Sequence, residues 1–277
     1  MIVRPQELKI GGVPYTLWYS LGSGLYGEVF RASERDGYFW RSDERDPGQL
    51  WAIKKLFTTP DLPTREAVRE AGAWEFVTAL MLAVEYKRPH PNIVSVRMGQ
   101  EVEGDYYIVM EFCEGSLANL FAYGLYGEAW ILPVASDLLA ALQFIHDLGA
   151  LHNDLHSRNL LFARDLRTRR PSWREKQAFF PLLGPGLFTF KLADFGQASS
   201  WFRRAAGDEH PELIVGDIRM AAYVLADVAL GRHEAELQPD ALRRAAGRYA
   251  APIQEALNND FGGEGAALAF LAALMNA

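Results

Sequence analysis

The chain has a single cysteine, Cys113, among 277 residues. No internal disulfide can form, which excludes a disulfide-stapled secreted scaffold and makes a reducing cytoplasm the expected compartment. An excess of positive charge is also lacking, since 28 Lys and Arg against 35 Asp and Glu leave a formal net charge of −7. Such a surface gives no general attraction to nucleic acid or to an anionic membrane, so neither is an expected partner. Long hydrophobic runs are missing too: the most apolar stretches, Ala221–Leu230 and Ala266–Met275, are about half of the ~20 residues a bilayer span requires. Met1–Gln6 carries an arginine and a proline and no apolar run, so it does not read as a secretory leader. What is present is core material. With 49% hydrophobic and 12% aromatic residues the chain lies outside the disordered range, and its length suffices for one large domain or two lobes.

Along the chain, Tyr15 to Val29 alternates aliphatic and aromatic residues with small or polar ones around three glycines, the pattern of two strands joined by a glycine-rich turn. Ser33–Gln49 is polar, contains Asp46-Pro47-Gly48, and predicts an exposed loop before a short strand, Leu50–Leu56. Pro60 and Pro63 punctuate the entry to Thr64–Tyr86, where Val68, Phe76, Ala79, Leu80 and Leu82 recur at helical spacing. Two strand-like runs follow, Ile93–Met98 and Tyr106–Phe112, around the turn Glu103–Asp105. Beyond Cys113-Glu114-Gly115 the pattern is mostly helical, with Ala135–Leu148 the clearest helix. The expected class is α+β: a strand-rich lobe over residues 1–112 and a helix-rich lobe over 113–277, the latter carrying an insertion at Arg164–Phe188.

Several short patterns bear on chemistry. Gly22-Ser23-Gly24-Leu25-Tyr26-Gly27-Glu28-Val29 places glycines where backbone N–H groups can approach phosphate oxygens closely, although a plain glycine-rich hairpin would read the same way. Downstream, Ala52-Ile53-Lys54 sets one ammonium on the next strand. His152-Asn153-Asp154-Leu155-His156-Ser157-Arg158-Asn159-Leu160-Leu161 then precedes Lys191-Leu192-Ala193-Asp194-Phe195-Gly196.

These four patterns, in this order, resemble the glycine loop, strand lysine, catalytic loop and Asp-Phe-Gly motif of the eukaryotic-type protein kinases, and the resemblance runs from about Leu17 to about Leu230. It implies a bilobal kinase-like fold and transfer of the γ-phosphate of ATP to a hydroxyl, foremost Ser or Thr of a protein. By resemblance, Lys54 holds the α- and β-phosphates, Asn159 and Asp194 ligate Mg²⁺, and Asp154 orients the acceptor hydroxyl and takes its proton. Gly22, Gly24 and Gly27 cover the phosphates. Val29, Ala52 and Leu161 enclose the base, Met110 is the gatekeeper, and the backbones of Glu111 and Cys113 contact the base edge. Lys54 needs a carboxylate partner on the helix ahead of His90-Pro91-Asn92. Glu75 and Glu70 both qualify, and Glu75 is preferred because Phe76, Ala79 and Leu82 follow it at helical spacing. Cys113 reads as a small packed side chain, and His146 and His233 as ordinary histidines.

The chain departs from the family pattern in places. Asn153 stands where many members carry an arginine that grips an activation-segment phosphate, and His156 replaces a lysine two positions after Asp154. Arg158 is positioned to supply that cation, as in the tyrosine-specific branch. Asp217 resembles the aspartate of a central helix that braces the catalytic loop, which makes the segment after Asp194 short, with His210-Pro211-Glu212 in place of a clean Ala-Pro-Glu. Little chain remains after Leu230 for the distal helices. This trimmed docking region favours an intact folded protein over a short peptide as substrate, and keeps open a small-molecule kinase on the same fold. A third alternative, an ATP-binding scaffold without catalysis, sits poorly with the presence of Lys54, Asp154, Asn159 and Asp194 together.

Overall fold

Alternating apolar and polar residues in the first part of the chain build an antiparallel sheet of six strands: β1 (Gln6–Ile10), β2 (Val13–Ser23), β3 (Gly27–Glu34), β4 (Leu50–Leu56), β5 (Val96–Val102) and β6 (Asp105–Glu111), in the order β1-β2-β3-β4-β6-β5. The computed structural model describes residues 6–24, 27–34, 50–59, 61, 63–84, 89–164, 184–200, 211–232, 237–262 and 265–277. Strand β1 goes beyond the sequence-based expectation; Gly11 and Gly12, at φ of 58° and 82°, turn it into β2 with the left-handed backbone that two-residue hairpins require. One face of the sheet buries Ile10, Tyr15, Leu17, Ala32, Trp51, Ile53, Tyr107 and Val109.

Helix α1 (Arg65–Val84) packs on β5 and β6. It starts where the Thr64 hydroxyl accepts the Ala67 N–H at 3.1 Å, an N-cap that satisfies one orphan donor. Gly72 lets the helix settle on the sheet: a Cβ there would lie 2.3 Å from the Tyr106 ring. The expected helix Thr64–Tyr86 is thus observed from Arg65 to Val84, and residues 85–86 lie outside the described residues. Most of the expected loop, 35–49, and Pro60 lie outside the described residues.

A second set of elements forms a separate compact unit: β7 (Gly115–Ser116), α2 (Leu117–Ala122), α3 (Glu128–Asp147), β8 (Ala150–Leu151), β9 (Leu160–Arg164), β10 (Phe188–Leu192), β11 (Ser199–Ser200), α4 (Pro211–Leu230), α5 (Pro239–Ala246), α6 (Ala250–Leu257) and α7 (Ala266–Asn276). Helix α3 is its axis. Ile131, Val134, Leu138, Leu142 and Ile145 are buried against α4, α7 and β10. It begins two turns before the expected Ala135. Pro133 falls in its second turn, where it removes the N–H that would bond to the Ala129 carbonyl, and the helix continues past it. By length and composition α3 is also apolar enough to cross a membrane, and 56% of its most apolar stretch is buried within the protein. Ser136, Asp137 and Gln143 interrupt its apolar sequence, and a buried core helix has the same composition.

Strands β9 and β10 pair antiparallel with Arg164 opposite Phe188, so the expected insertion leaves and re-enters the unit at one place. Its residues 165–183 lie outside the described residues.

By internal packing the chain divides into residues 1–89 with 94–113, and 90–93 with 114–277. Residues 90–93 join the second unit because Asn92 is sewn into it. The Asn92 side-chain amide donates to the Phe190 carbonyl at 3.0 Å, and its own carbonyl accepts the Leu192 N–H at 2.8 Å. Asp137 accepts the Phe190 N–H at 2.7 Å. Burial pushes its carboxyl above the ordinary range, against the pull of that N–H, the Asn92 amide and Lys191. A single cut in the sequence does not foresee this interleaving.

Candidate active site

In the first unit, strand register decides which side chains share a face. Val29 pairs with Lys54 and Lys54 with Ile108, while Arg31 pairs with Ala52 and Ala52 with Met110, so these residues emerge on the face opposite the Ile53 core. Lys54 Nζ lies 2.9 Å from both carboxylate oxygens of Glu75, and both side chains are nearly inaccessible. Glu70 is exposed. Glu75 is therefore the partner, because it points to the sheet from the helix face that also carries buried Val68 and Ala79. Such a desolvated, doubly bonded pair fixes the ammonium far more firmly than a surface pair would.

At the glycine turn, the Gly24 N–H donates to the Gly27 carbonyl at 2.8 Å; Leu25 and Tyr26 lie outside the described residues. A Cβ on Gly27 would lie 2.4 Å from the Lys55 carbonyl oxygen, so this glycine is needed for strand packing. At Gly22 and Gly24 a Cβ would meet nothing within 4 Å. Packing does not demand glycine at these two positions, and the bare backbone leaves room for a ligand's phosphates. At the end of β6, Met110 and Cys113 are buried, and the Glu111 N–H donates to the Ser95 carbonyl at 2.9 Å. Any base contact by Glu111 would therefore use its carbonyl.

In the second unit the catalytic-loop residues hang on one buried carboxylate. Asp217, 1% exposed on α4, accepts the His152 N–H and the Asn153 N–H at 2.9 Å each, and its Oδ2 lies 2.9 Å from His146 Nε2. Burial, the strongest influence, would raise its pKa, but the His146 ring and the two N–H donors together hold it below the ordinary range. His146 is thus a buried brace, not the ordinary histidine expected, and nothing in its local sequence signals a partner 71 positions away. His233 lies outside the described residues.

His152 Nε2 donates to the Ala193 carbonyl at 2.9 Å, leaving Nδ1 to accept the Asp154 N–H at 3.3 Å. Burial pushes its pKa below the ordinary value, against the pull of Asp217, the Ala193 carbonyl, Asp194 and Asp154. The neutral ring with its proton on Nε2 is the form that makes both bonds. Asn153 takes φ of 64° and its side-chain amide donates to the Gln197 carbonyl at 3.1 Å.

Asp154 is fixed from the other side by Asn159, whose amide nitrogen donates to the Asp154 carbonyl at 2.9 Å and to Oδ2 at 3.2 Å. That leaves Asn159 Oδ1 as the atom facing any cation. The Ala193 N–H donates to the Asn159 carbonyl at 2.9 Å, tying Asn159 to the residue before Asp194. Asp194 itself sits at φ of 63°. His156 Nε2 stands 3.7 Å from Asp154 Oδ2. The side chain against Asp154 is therefore His156, whereas Arg158 is exposed and its N–H donates to His156 Nδ1 at 3.2 Å. Leu161 lies on β9 opposite Lys191 and Ser116.

The oxygen donors present, one amide and one carboxylate, suit Mg²⁺ with the remaining ligands drawn from phosphates. Among the described residues no group of three or more His, Cys, Asp or Glu gathers to hold a metal alone.

Comparison with known proteins agrees with this arrangement. The family model described as a protein kinase domain matches residues 15–217. Calcium-dependent protein kinase 8 of Oryza sativa subsp. japonica is 27% identical over 227 residues, covering 81% of this chain and 35% of that protein. Serine/threonine-protein kinase CST20 of Candida albicans is 29% identical over 169 residues, covering 60% of this chain and 12% of that protein. The chain thus spans about a third or less of the length of these relatives. Among solved structures, a double-mutant form of the PknI kinase domain of Mycobacterium tuberculosis matches with a TM-score of 0.64 at 20% identity, over 97% of each chain. At that identity the likeness speaks for the fold, α+β with a curled strand-rich part and a helical part. A family model that accounts for the glycine turn, the paired Lys54 and the braced catalytic loop in one continuous match places this chain in the protein kinase domain family.

Proposed function

We propose that this chain is an ATP-dependent protein kinase that transfers the γ-phosphate of ATP to serine or threonine hydroxyls of a protein. The observation that carries the reading is Asp154: a carboxylate 44% accessible, yet locked by Asn159 through its carbonyl and its Oδ2. A base that must meet an incoming hydroxyl needs both properties, access for the substrate and a fixed direction. Bound Mg²⁺–ATP supplies the phosphoryl group and neutralises part of its charge.

The chain's own residues do the rest. Lys54, held by Glu75, presents a fixed cation to phosphate oxygens, and the side-chain-free backbone at Gly22 and Gly24 lets those oxygens approach closely. Val29, Ala52, Met110 and Leu161 provide apolar surface for a base, with backbone groups of Glu111 and Cys113 at its edge. Asn159 Oδ1 and the Asp194 carboxylate provide the oxygen ligands for Mg²⁺. Asp154 orients the acceptor hydroxyl and removes its proton, with His156 rather than Arg158 beside it. The acceptor is an intact folded protein more than a short peptide, and the setting is the cytoplasm; the net charge of −7 argues against nucleic acid as a partner.

The test is to incubate purified protein with Mg²⁺ and γ-labelled ATP, alone and with cell extract, and to identify what becomes labelled. Label on protein serine or threonine is the expected result. Label only on a small metabolite would refute the acceptor class, and ATP binding without any turnover would refute the enzyme.

A further inference from the structure

One cation on the ligand-facing side of the first unit has no part in the chemistry above. Arg31 on β3 pairs with Tyr19 on one side and with Ala52 on the other, and Ala52 pairs with Met110. Directly opposed residues of an antiparallel sheet share a face, so Arg31 stands in the same row as the base-enclosing Ala52. It is also two positions from Val29, on the side away from Lys54. Among the described residues, aromatic groups rather than a carboxylate hold its guanidinium. Its carbon lies 5.5 Å from the Tyr19 ring centroid and 5.7 Å from that of Phe112, and Nη1 donates to the Tyr19 hydroxyl at 3.0 Å. Nε is buried and makes no hydrogen bond among the described residues.

Each of these facts has a physical consequence. A guanidinium flanked by rings keeps its charge unneutralised and its plane confined, which suits it to stack on a further π-system. A buried donor without an acceptor costs free energy that a ligand acceptor would recover. Tyr19 is 49% exposed, so aromatic surface remains available beside the guanidinium. Since Lys54 lies opposite Val29 in the next row along, on the side of the glycine turn, the group that reaches Arg31 is the nucleoside and not the phosphate chain.

We infer that Arg31 is a nucleoside-binding residue: its guanidinium stacks on the base and its Nε–H donates to a ribose acceptor, adding affinity for the nucleoside part of the nucleotide. This rests on the ATP-binding reading above. Cation–π stacking and a charged hydrogen bond of ordinary strength together correspond to an affinity change of roughly thirtyfold or more.

The experiment measures equilibrium binding of Mg²⁺–ATP, adenosine and Mg²⁺–tripolyphosphate to the parent protein and to Arg31→Leu, Arg31→Lys and Lys54→Met. Arg31→Leu should weaken ATP and adenosine by the same factor, roughly thirtyfold, and leave tripolyphosphate unchanged. Arg31→Lys should recover little, because the planar fork and Nε–H are both lost. Lys54→Met should weaken ATP and tripolyphosphate and spare adenosine. If tripolyphosphate weakens with Arg31→Leu as much as ATP does, Arg31 is a general phosphate cation and the inference is wrong. If Arg31→Leu, folded by its thermal transition, binds all three like the parent, Arg31 is a brace for Tyr19 and Phe112 and the inference fails while the ATP reading stands. A parent protein that binds none of the three removes both.

Discussion

Removing the Asp217 carboxylate tests whether the catalytic loop hangs where the hydrogen bonds place it. In Asp217→Ala, the N–H groups of His152 and Asn153 and the ring of His146 all lose a partner 2.9 Å away, inside a site that is 1% exposed at Asp217 and 0% at His152. Each stranded buried donor costs about 1–3 kcal/mol, and partial entry of water reduces the sum to roughly 3–6 kcal/mol. That is a large share of the ~5–15 kcal/mol that usually separates folded from unfolded chains. The backbone should respond as well, since Asn153 at φ of 64° is held in a region that costs a non-glycine residue about 1 kcal/mol or more. Asp154 follows directly, so phosphoryl transfer should fall at least tenfold even below the new unfolding transition. Urea unfolding followed by tryptophan fluorescence gives the stability change, and hydrogen exchange at the His152 and Asn153 amides localises it. His146→Phe should cost about 1–3 kcal/mol alone and little more in the Asp217→Ala background, because the two changes break one shared bond. A loss under about 1 kcal/mol for Asp217→Ala, with unaltered exchange at both amides, would refute the reasoning.

Further outcomes follow from other contacts. Asp154→Asn should bind Mg²⁺–ATP nearly as the parent does while transfer slows ~10²–10⁴-fold, whereas Asp194→Asn should also weaken Mg²⁺–ATP; equal turnover in both variants and the parent would discard the assignment. Asn153 already ties the segment after Asp194 through a neutral bond to the Gln197 carbonyl, so phosphatase-treated protein should keep most of its initial rate, and a large loss restored by autophosphorylation would contradict this. Arg203 and Arg204, the basic groups nearest in sequence to take such a phosphate, lie outside the described residues. Burial lowers the pKa of both His90 and His152 in the folded chain. The unfolded chain therefore binds more protons as pH drops below the ordinary histidine value of about 6.5, and stability should fall there by up to ~1.4 kcal/mol per pH unit for each. Asp217 has the opposite charge type but the same outcome at lower pH: its depressed pKa stabilises above the ordinary carboxylate value and that contribution fades as pH falls through the folded one. A urea midpoint that stays flat from pH 7 to pH 5 would contradict the histidine part.

Whatever the chain encodes locally is legible in the amino-acid sequence itself. The glycine turn, Lys54, the run from His152 to Asn159 and Asp194-Phe195-Gly196 are short patterns whose chemistry lies in adjacent residues, and helical spacing alone favours Glu75 over Glu70 as the partner of Lys54. Strand β4 at Leu50–Leu56 is equally plain, because a short, mostly apolar run after a Pro-Gly turn is too brief for a helix. Tertiary structure alone decides the rest. His146 looks ordinary in sequence because its value comes from Asp217, 71 positions on, and Asn153 acts through Gln197, 44 positions on. Arg158 is the cation that spacing sets beside Asp154, but the turn after Asp154 brings His156 there instead. The burial of Asp137 against Phe190 and the place of Arg31 in the row of Ala52 follow from packing and register. A hydrogen bond or a shared face between distant residues is closed by the folding of everything between them, so no spacing rule in the sequence carries it.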